Sequence, residues 1–196
     1  MDFVDESIHF FKAFIKNPLH VGAISPSSPE LAREMIKGIF PSEKNAVLEI
    51  GVGTGAITRF LAPKLPNNRS YLGIEIDREF VKVLHKRFPH LLIVQGDARR
   101  ASEIARKVRI EDITYIISSL PFASLPREVR REILGEIDKF MQRGCIFRTF
   151  QYAHCYYLSS AVEFRKFMDS RYGKAKRSKL ILKNLPPAYI LTWQTK

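Results

Sequence analysis

The sequence is poor in cysteine. Cys145 and Cys155 are its only two in 196 residues, and they form no CxxC pair. This argues against a disulfide scaffold and a cysteine-rich zinc site, and favours a reducing compartment. Long apolar runs are also missing. The longest uncharged stretches, Ile113–Pro126 and Thr149–Val162, are broken by Ser, Pro, Gln or His, and fall short of the ~18–20 residues a spanning helix needs. Near the N-terminus Asp2, Asp5 and Glu6 stand where a signal peptide would carry Lys or Arg, so a soluble cytoplasmic protein is expected. No pair among His9, His20, His85 and His90 has ligand spacing, and no metal is expected.

Acid is the third scarcity. The 20 Asp+Glu face 32 Lys+Arg, a net charge of +12. Such a balance suits nucleic acid, an anionic membrane surface or plain solubility. With 45% hydrophobic and 27% charged residues, disordered, collagen-like and coiled-coil classes drop out. One domain over 1–196 is expected, with 1–40 as an N-terminal helical cover and 45–196 as a sheet domain.

What is present is a regular alternation of elements. Asp2–Lys16 reads as an amphipathic helix, with Phe3, Val4, Ile8, Phe11, Phe14 and Ile15 on one face. That stripe suits packing on a sheet or insertion at a lipid headgroup boundary. Ser27 or Ser28 is placed to cap a helix over Pro29–Phe40. Strands follow at 46–50, 71–76, 91–95, 113–118 and 145–152. Helices fall at 56–65, 78–88, 102–108, 126–141 and 160–171. Lys179–Leu182 and Ala188–Trp193 close the chain as a hairpin around Asn184–Pro187. Strands alternating with helices predict an α/β fold with a doubly wound parallel sheet.

The chemistry begins at Leu48-Glu-Ile-Gly-Val-Gly-Thr-Gly55, between a strand and a helix. Gly51, Gly53 and Gly55 allow a sharp turn and close approach to a ligand. Gly51, Gly53 and Ala56 also satisfy the relaxed dinucleotide pattern G-x-G-x-x-G/A. Glu49, two residues upstream, favours a different ligand: it would repel a pyrophosphate and tolerate a cationic sulfonium and ammonium. Glu75 ends the second strand in Gly73-Ile-Glu-Ile-Asp77, where a carboxylate accepts from ribose hydroxyls. Asp97 follows the third strand in Gln95-Gly-Asp-Ala98 and is placed to accept from an adenine amino group. Asp77 reads as a helix N-cap. These features together point to S-adenosylmethionine as cofactor.

Residues 46–152 resemble class I S-adenosylmethionine-dependent methyltransferases in the order and spacing of the glycine loop, Glu75, Gly96-Asp97 and Ser118-Ser-Leu-Pro-Phe122. The resemblance implies a Rossmann-like seven-stranded sheet with an antiparallel last strand. It also implies a cofactor site of Glu49, Gly51, Gly53, Gly55, Glu75, Ile76, Asp97, Ala98 and Ser118. Two subfamilies are similar. Ribosomal RNA adenine dimethyltransferases share Ile74-Glu-Ile-Asp77. Bacterial phospholipid N-methyltransferases share 16–28, Ser119-Leu-Pro121 with Leu125-Pro126, and Asn184-Leu-Pro-Pro-Ala188.

The segment after the fourth strand separates them. Amino-adenine methylation uses Asn or Asp, an apolar residue, Pro and an aromatic; here the slot reads Ser119-Leu-Pro-Phe122. Ser119 is a short, weak acceptor, while Phe122 keeps a ring for base stacking. The adenine dimethyltransferases also carry a helical RNA-binding domain after the sheet, which is not expected here. The expected acceptor is thus a phospholipid amine such as phosphatidylethanolamine, with RNA as runner-up and a cofactor-binding adaptor without turnover as a third reading. Ser25–Ser28, with Ser119, Pro121, Phe122 and Tyr152, are expected around the transferred methyl. The tyrosines after the fifth strand suit an ammonium through cation–π contacts, and Tyr152 or His154 a proton relay. Arg171–Lys183, with six basic residues and no acid, suits an anionic bilayer or RNA phosphates.

Overall fold

The computed structural model describes residues 27–110 and 112–195. The amphipathic helix expected over Asp2–Lys16 and the loop that follows it lie outside these residues. Seven strands form one sheet: β1 (Ala46–Ile50), β2 (Tyr71–Glu75), β3 (Ile93–Gln95), β4 (Ile113–Ser118), β5 (Ile146–Tyr152), β6 (Lys176–Arg177) and β7 (Ala188–Gln194). Their order is β3-β2-β1-β4-β5-β7-β6. The first five are parallel, β7 runs antiparallel to β5, and β6 antiparallel to β7.

Among the described residues six α-helices are α1 (Pro29–Met35), α2 (Thr58–Leu61), α3 (Arg78–Arg87), α4 (Ala101–Lys107), α5 (Arg127–Met141) and α6 (Ser159–Tyr172). They cover both faces, which is why β1 and β2 are buried at every position, Glu49 and Glu75 included. On one face Leu48, Ile74, Ile116 and Phe147 pack with Ala101, Ile137 and Phe164 from α4, α5 and α6. On the other Val47, Tyr71, Ile93 and Ile117 pack with Leu31, Met35, Leu61 and Leu84 from α1, α2 and α3. Ser28 caps α1 by accepting from the Leu31 N–H, and Asp77 caps α3 by accepting from Glu79 and Phe80.

Three elements differ from expectation. The helix expected over 56–65 shrinks to α2, because the glycine turn continues to residue 57 and a tight turn with Pro63 follows Leu61. The helix expected to Phe40 ends at Met35, before Gly38 at φ +72°. The strand expected at 179–182 is a single bridge, Ile181 to Ala188, with β6 displaced upstream. Asn184 explains that gap: buried in the hairpin, it accepts from the Ser28 N–H and donates to the Pro186 carbonyl. A side chain thus satisfies backbone groups where a ladder would have done so.

Candidate active site

The strand order reverses between β1 and β4, and the loops leaving these strands part at their carboxyl ends, where ligands bind in open α/β sheets. Gly51 sits at φ +73°, and its N–H donates to the Ile74 carbonyl at 2.9 Å. A Cβ there would lie 2.7 Å from Leu120 Cδ2. Glycine therefore lets the loop after β1 lie directly against the loop after β4, and together they border a cleft of about 500 Å3. Gly51, Glu75, Ile76, Asp97, Ala98 and Arg99 line one part of it, and Leu125, Val129 and Ile133 give an apolar wall.

Glu75 is buried at this cleft. Its Oε2 accepts from the Gly53 N–H at 2.7 Å and its Oε1 from the Asp77 N–H at 2.9 Å. Burial raises its pKa, opposed by these backbone donations. Gly53 thus acts through Glu75, while Gly55 packs away from the cleft against Leu84 and Phe88. Asp97 also lies in the cleft, but its carboxylate is forked by Arg99, with Nη2 at 2.6 Å and Nε at 2.9 Å. Arg99 reaches on to Glu132 at 3.3 Å. The sequence reading missed Arg99; its signal was the two-residue spacing from Asp97 across a strand end.

Besides Gly53 and Gly55, two further expected cofactor residues do not line the cleft. Glu49 is fully buried behind the loop and does not line the cleft. Its Oε2 accepts from Tyr71 at 2.8 Å and Thr58 at 2.9 Å, and its Oε1 has no partner among the described residues. Desolvation pushes its pKa up from 4.5 to about 7. The reason is β1 itself, a central strand buried on both faces, whose side chain at 49 points into the layer of Tyr71. Ser118 is likewise fully buried. Its Oγ accepts from the Leu120 N–H and its carbonyl accepts from Thr149 Oγ1, so it shapes the loop from behind.

A second cleft of about 440 Å3 adjoins the first, and Leu120 lines both. It brings together Ser119, Pro121, Phe122 and Tyr152, the residues expected around the acceptor, with Ser124, Phe150, Gln151 and Cys155. Phe122 borders it, but its ring is 2% exposed, stacked on Phe164 at 4.5 Å and edge-on to Phe147. That ring belongs to the core and is not offered to a base. Burial lifts the Tyr152 phenol to about 12, so it is a hydrogen-bond donor near neutral pH and not a base. Of the tyrosines expected to box an ammonium after β5, Tyr156 holds this chain's own cations, with Arg165 3.8 Å and Arg177 5.4 Å from its ring. Of the basic cluster at 171–183, Arg171 reaches Asp138 and Lys183 reaches Glu30, while Lys174, Lys176 and Lys179 are exposed with no ion-pair partner among the described residues.

Comparison with known proteins gives this geometry a class. Residues 47–144 match the methyltransferase domain family. The chain is 31% identical over 135 residues to an ornithine lipid N-methyltransferase of Singulisphaera acidiphila, covering 67% of this chain and 70% of that one. It is 36% identical over 94 residues to a probable ribosomal RNA small subunit methyltransferase A of Methanosarcina barkeri, covering 46% of this chain and 29% of that one. The fold matches magnesium protoporphyrin IX methyltransferase of Synechocystis with bound S-adenosylmethionine, at TM-score 0.59 and 12% identity over all of this chain and 85% of that one. The chain therefore belongs to the class I S-adenosylmethionine-dependent methyltransferases. It is an enzyme of that class, and its cofactor is S-adenosylmethionine. The residues present fit that cofactor. The cleft sets carboxylate acceptors at Glu75 and Asp97 beside an apolar wall, and among the described residues the cation that lines it, Arg99, is already paired with Asp97 and so is not free for a pyrophosphate.

Proposed function

We propose that the chain methylates the amine of a phospholipid headgroup such as phosphatidylethanolamine, working peripherally on the cytoplasmic face of an anionic membrane. Glu75 would hold the ribose, Asp97 steadied by Arg99 the adenine, and Gly51 the methionine portion. When bound, S-adenosylmethionine supplies a methyl group on a positively charged sulfur. Ser119, Pro121 and Tyr152 would orient the amine and keep water from it, so alignment and desolvation do the work. The observation that carries the reading is the make-up of the acceptor slot. It has Ser119 where an amino-adenine site needs Asn or Asp, and the Phe122 ring that would stack on a base is locked in the core. The ornithine lipid relative, matched over 70% of its length, supports the same side. Among the described residues no helix is long and apolar enough to cross a membrane, and Lys174, Lys176 and Lys179 would meet the anionic surface.

The test is transfer of radiolabelled methyl to total lipid and to total RNA in parallel. Label in an amine-bearing lipid is expected, and Ser119→Asn should slow it by crowding the amine. Label in unmodified ribosomal RNA far faster than in any lipid would overturn the reading. Cofactor binding without transfer to either would indicate an adaptor.

A further inference from the structure

The acceptor cleft contains a polar group with nothing to bind. Gln151, next to last in β5, is 4% exposed, lines the cleft, and its Nε2 has no hydrogen-bond partner among the described residues. Its Oε1 accepts from Arg165 Nη1 at 2.6 Å. A guanidinium only donates, so the orientation of the amide is fixed: oxygen toward Arg165, NH2 away from it. Arg165 is itself held, since Nη1 also donates to the Tyr156 carbonyl at 2.8 Å and the guanidinium stacks on the Tyr156 ring. A buried amide nitrogen without an acceptor is unfavourable, and in a ligand cleft it marks where a ligand oxygen belongs.

The other polar groups agree. Ser119, Ser124 and Tyr152 can all donate, and among the described residues no Asp or Glu lines this cleft. The carboxamide presents the polarity opposite to what an exocyclic amine requires, because its oxygen is spent on Arg165. Donation by Arg165 also polarises the amide and strengthens its N–H groups as donors.

We infer that Gln151, oriented by Arg165, forms a subsite for an anionic oxygen carried beside the acceptor amine: a lipid phosphate or the carboxylate of an amino-acid lipid. This rests on the lipid-amine reading and adds to it the feature that distinguishes an amine-bearing headgroup from a bare amine. Gln151 would touch the substrate, and Arg165 is a positioning residue behind it.

The informative variant is Gln151→Glu. It keeps and strengthens the contact with Arg165, so it should fold, but it puts an anionic oxygen where the NH2 was. Methyl transfer would be measured in mixed micelles to phosphatidylethanolamine, to an ornithine-type lipid with a free carboxylate, and to octadecylamine, which has an amine and no oxygen. For the lipid whose oxygen is read, kcat/KM should fall by about ten- to hundredfold, mainly through KM, as expected for loss of a hydrogen bond to a charged group. Octadecylamine turnover and cofactor affinity should stay near wild type. The lipid that shows the loss tells phosphate from carboxylate. Equal loss on octadecylamine, or no loss on either lipid, overturns the subsite. Should Gln151→Glu misfold, Gln151→Met gives the same comparison without the added charge. If the wild type methylates RNA and no lipid, the lipid reading falls separately. The oxygen subsite is then retained if Gln151→Glu weakens that RNA reaction, and rejected if it does not.

Discussion

Glu49 makes stability depend on pH in a way that one substitution isolates. Its carboxyl is fully buried and its pKa rises from 4.5 to about 7, chiefly by desolvation. Hydrogen bonds from Tyr71 and Thr58 oppose the rise, and the Glu75 carboxylate adds to it. In the unfolded chain the group ionises near its ordinary value. Between these values the folded protein binds more protons than the unfolded one, so stability falls as pH rises. The stabilisation is fully present below about pH 4.5 and is lost through about pH 7, a total of roughly 3 kcal/mol. Glu49→Gln mimics the protonated acid. Both share the same geometry toward Tyr71 and Thr58, and both leave the second polar atom of the group without a partner. Urea titrations of both proteins from pH 4.5 to 8 should therefore give nearly parallel stabilities at the acid end. Above it the variant should gain on wild type, by up to roughly 3 kcal/mol at pH 8. Glu75, whose pKa burial also raises, acts on both proteins alike and largely cancels in the difference. A difference that stays flat with pH, or a variant that loses ground as pH rises, would refute the assignment of a neutral, desolvated Glu49.

Gly51→Ala should weaken S-adenosylmethionine binding and lower stability by about 1–3 kcal/mol, because the new Cβ meets Leu120 at 2.7 Å on a backbone held at φ +73°; calorimetry and thermal melts check it, and unchanged binding would show that the two loops need not touch. Asp97→Ala should lower cofactor affinity by about tenfold or more, with a smaller loss in Asp97→Asn, which keeps an acceptor for the Arg99 backbone N–H; calorimetry with both S-adenosylmethionine and NAD tests this, and NAD binding with unaltered cofactor affinity would reject the role of Asp97.

Much of the fold was legible because its signals are local. β1 and β4 match their expected bounds, since an apolar run between turn formers is bounded on both sides. Asp77 was legible as a cap because a side chain that bonds two and three residues ahead leaves its mark in adjacent sequence. The failures are where distant contacts decide. The hairpin lost its first strand because Asn184 bonds Ser28, 156 residues away. The helix after the glycine loop shortened because that loop keeps turning to meet Glu75 and α3.

The site shows a deeper limit of the same kind. Sequence named residue types, and the types were largely brought together: Gly51, Glu75, Ile76, Asp97 and Ala98 share one cleft, and Ser119, Pro121, Phe122 and Tyr152 share its neighbour. It did not show which atoms remain free. Glu49 has the acidic side chain a cationic ligand would favour, yet burial brings its pKa to about 7 and hides it behind the loop. Phe122 has the ring a base would stack on, yet Phe164 already occupies that face. Tyr156 suits an ammonium, yet Arg165 and Arg177 already lie over its ring. In each case a neighbour from a distant segment had already used the group. Gln151 is the converse, unremarkable in sequence and significant because Arg165 takes its oxygen and leaves its nitrogen. Specificity in this cleft therefore lies in the polarity left over after the protein has satisfied itself. What is left over among the described residues is the hydroxyls of Ser119 and Tyr152, which donate and accept, and the Gln151 NH2, which only donates. The Gln151 NH2 would bind the oxygen beside an amine, while the hydroxyl oxygens would accept the amine's own N–H groups and so leave its lone pair free to react.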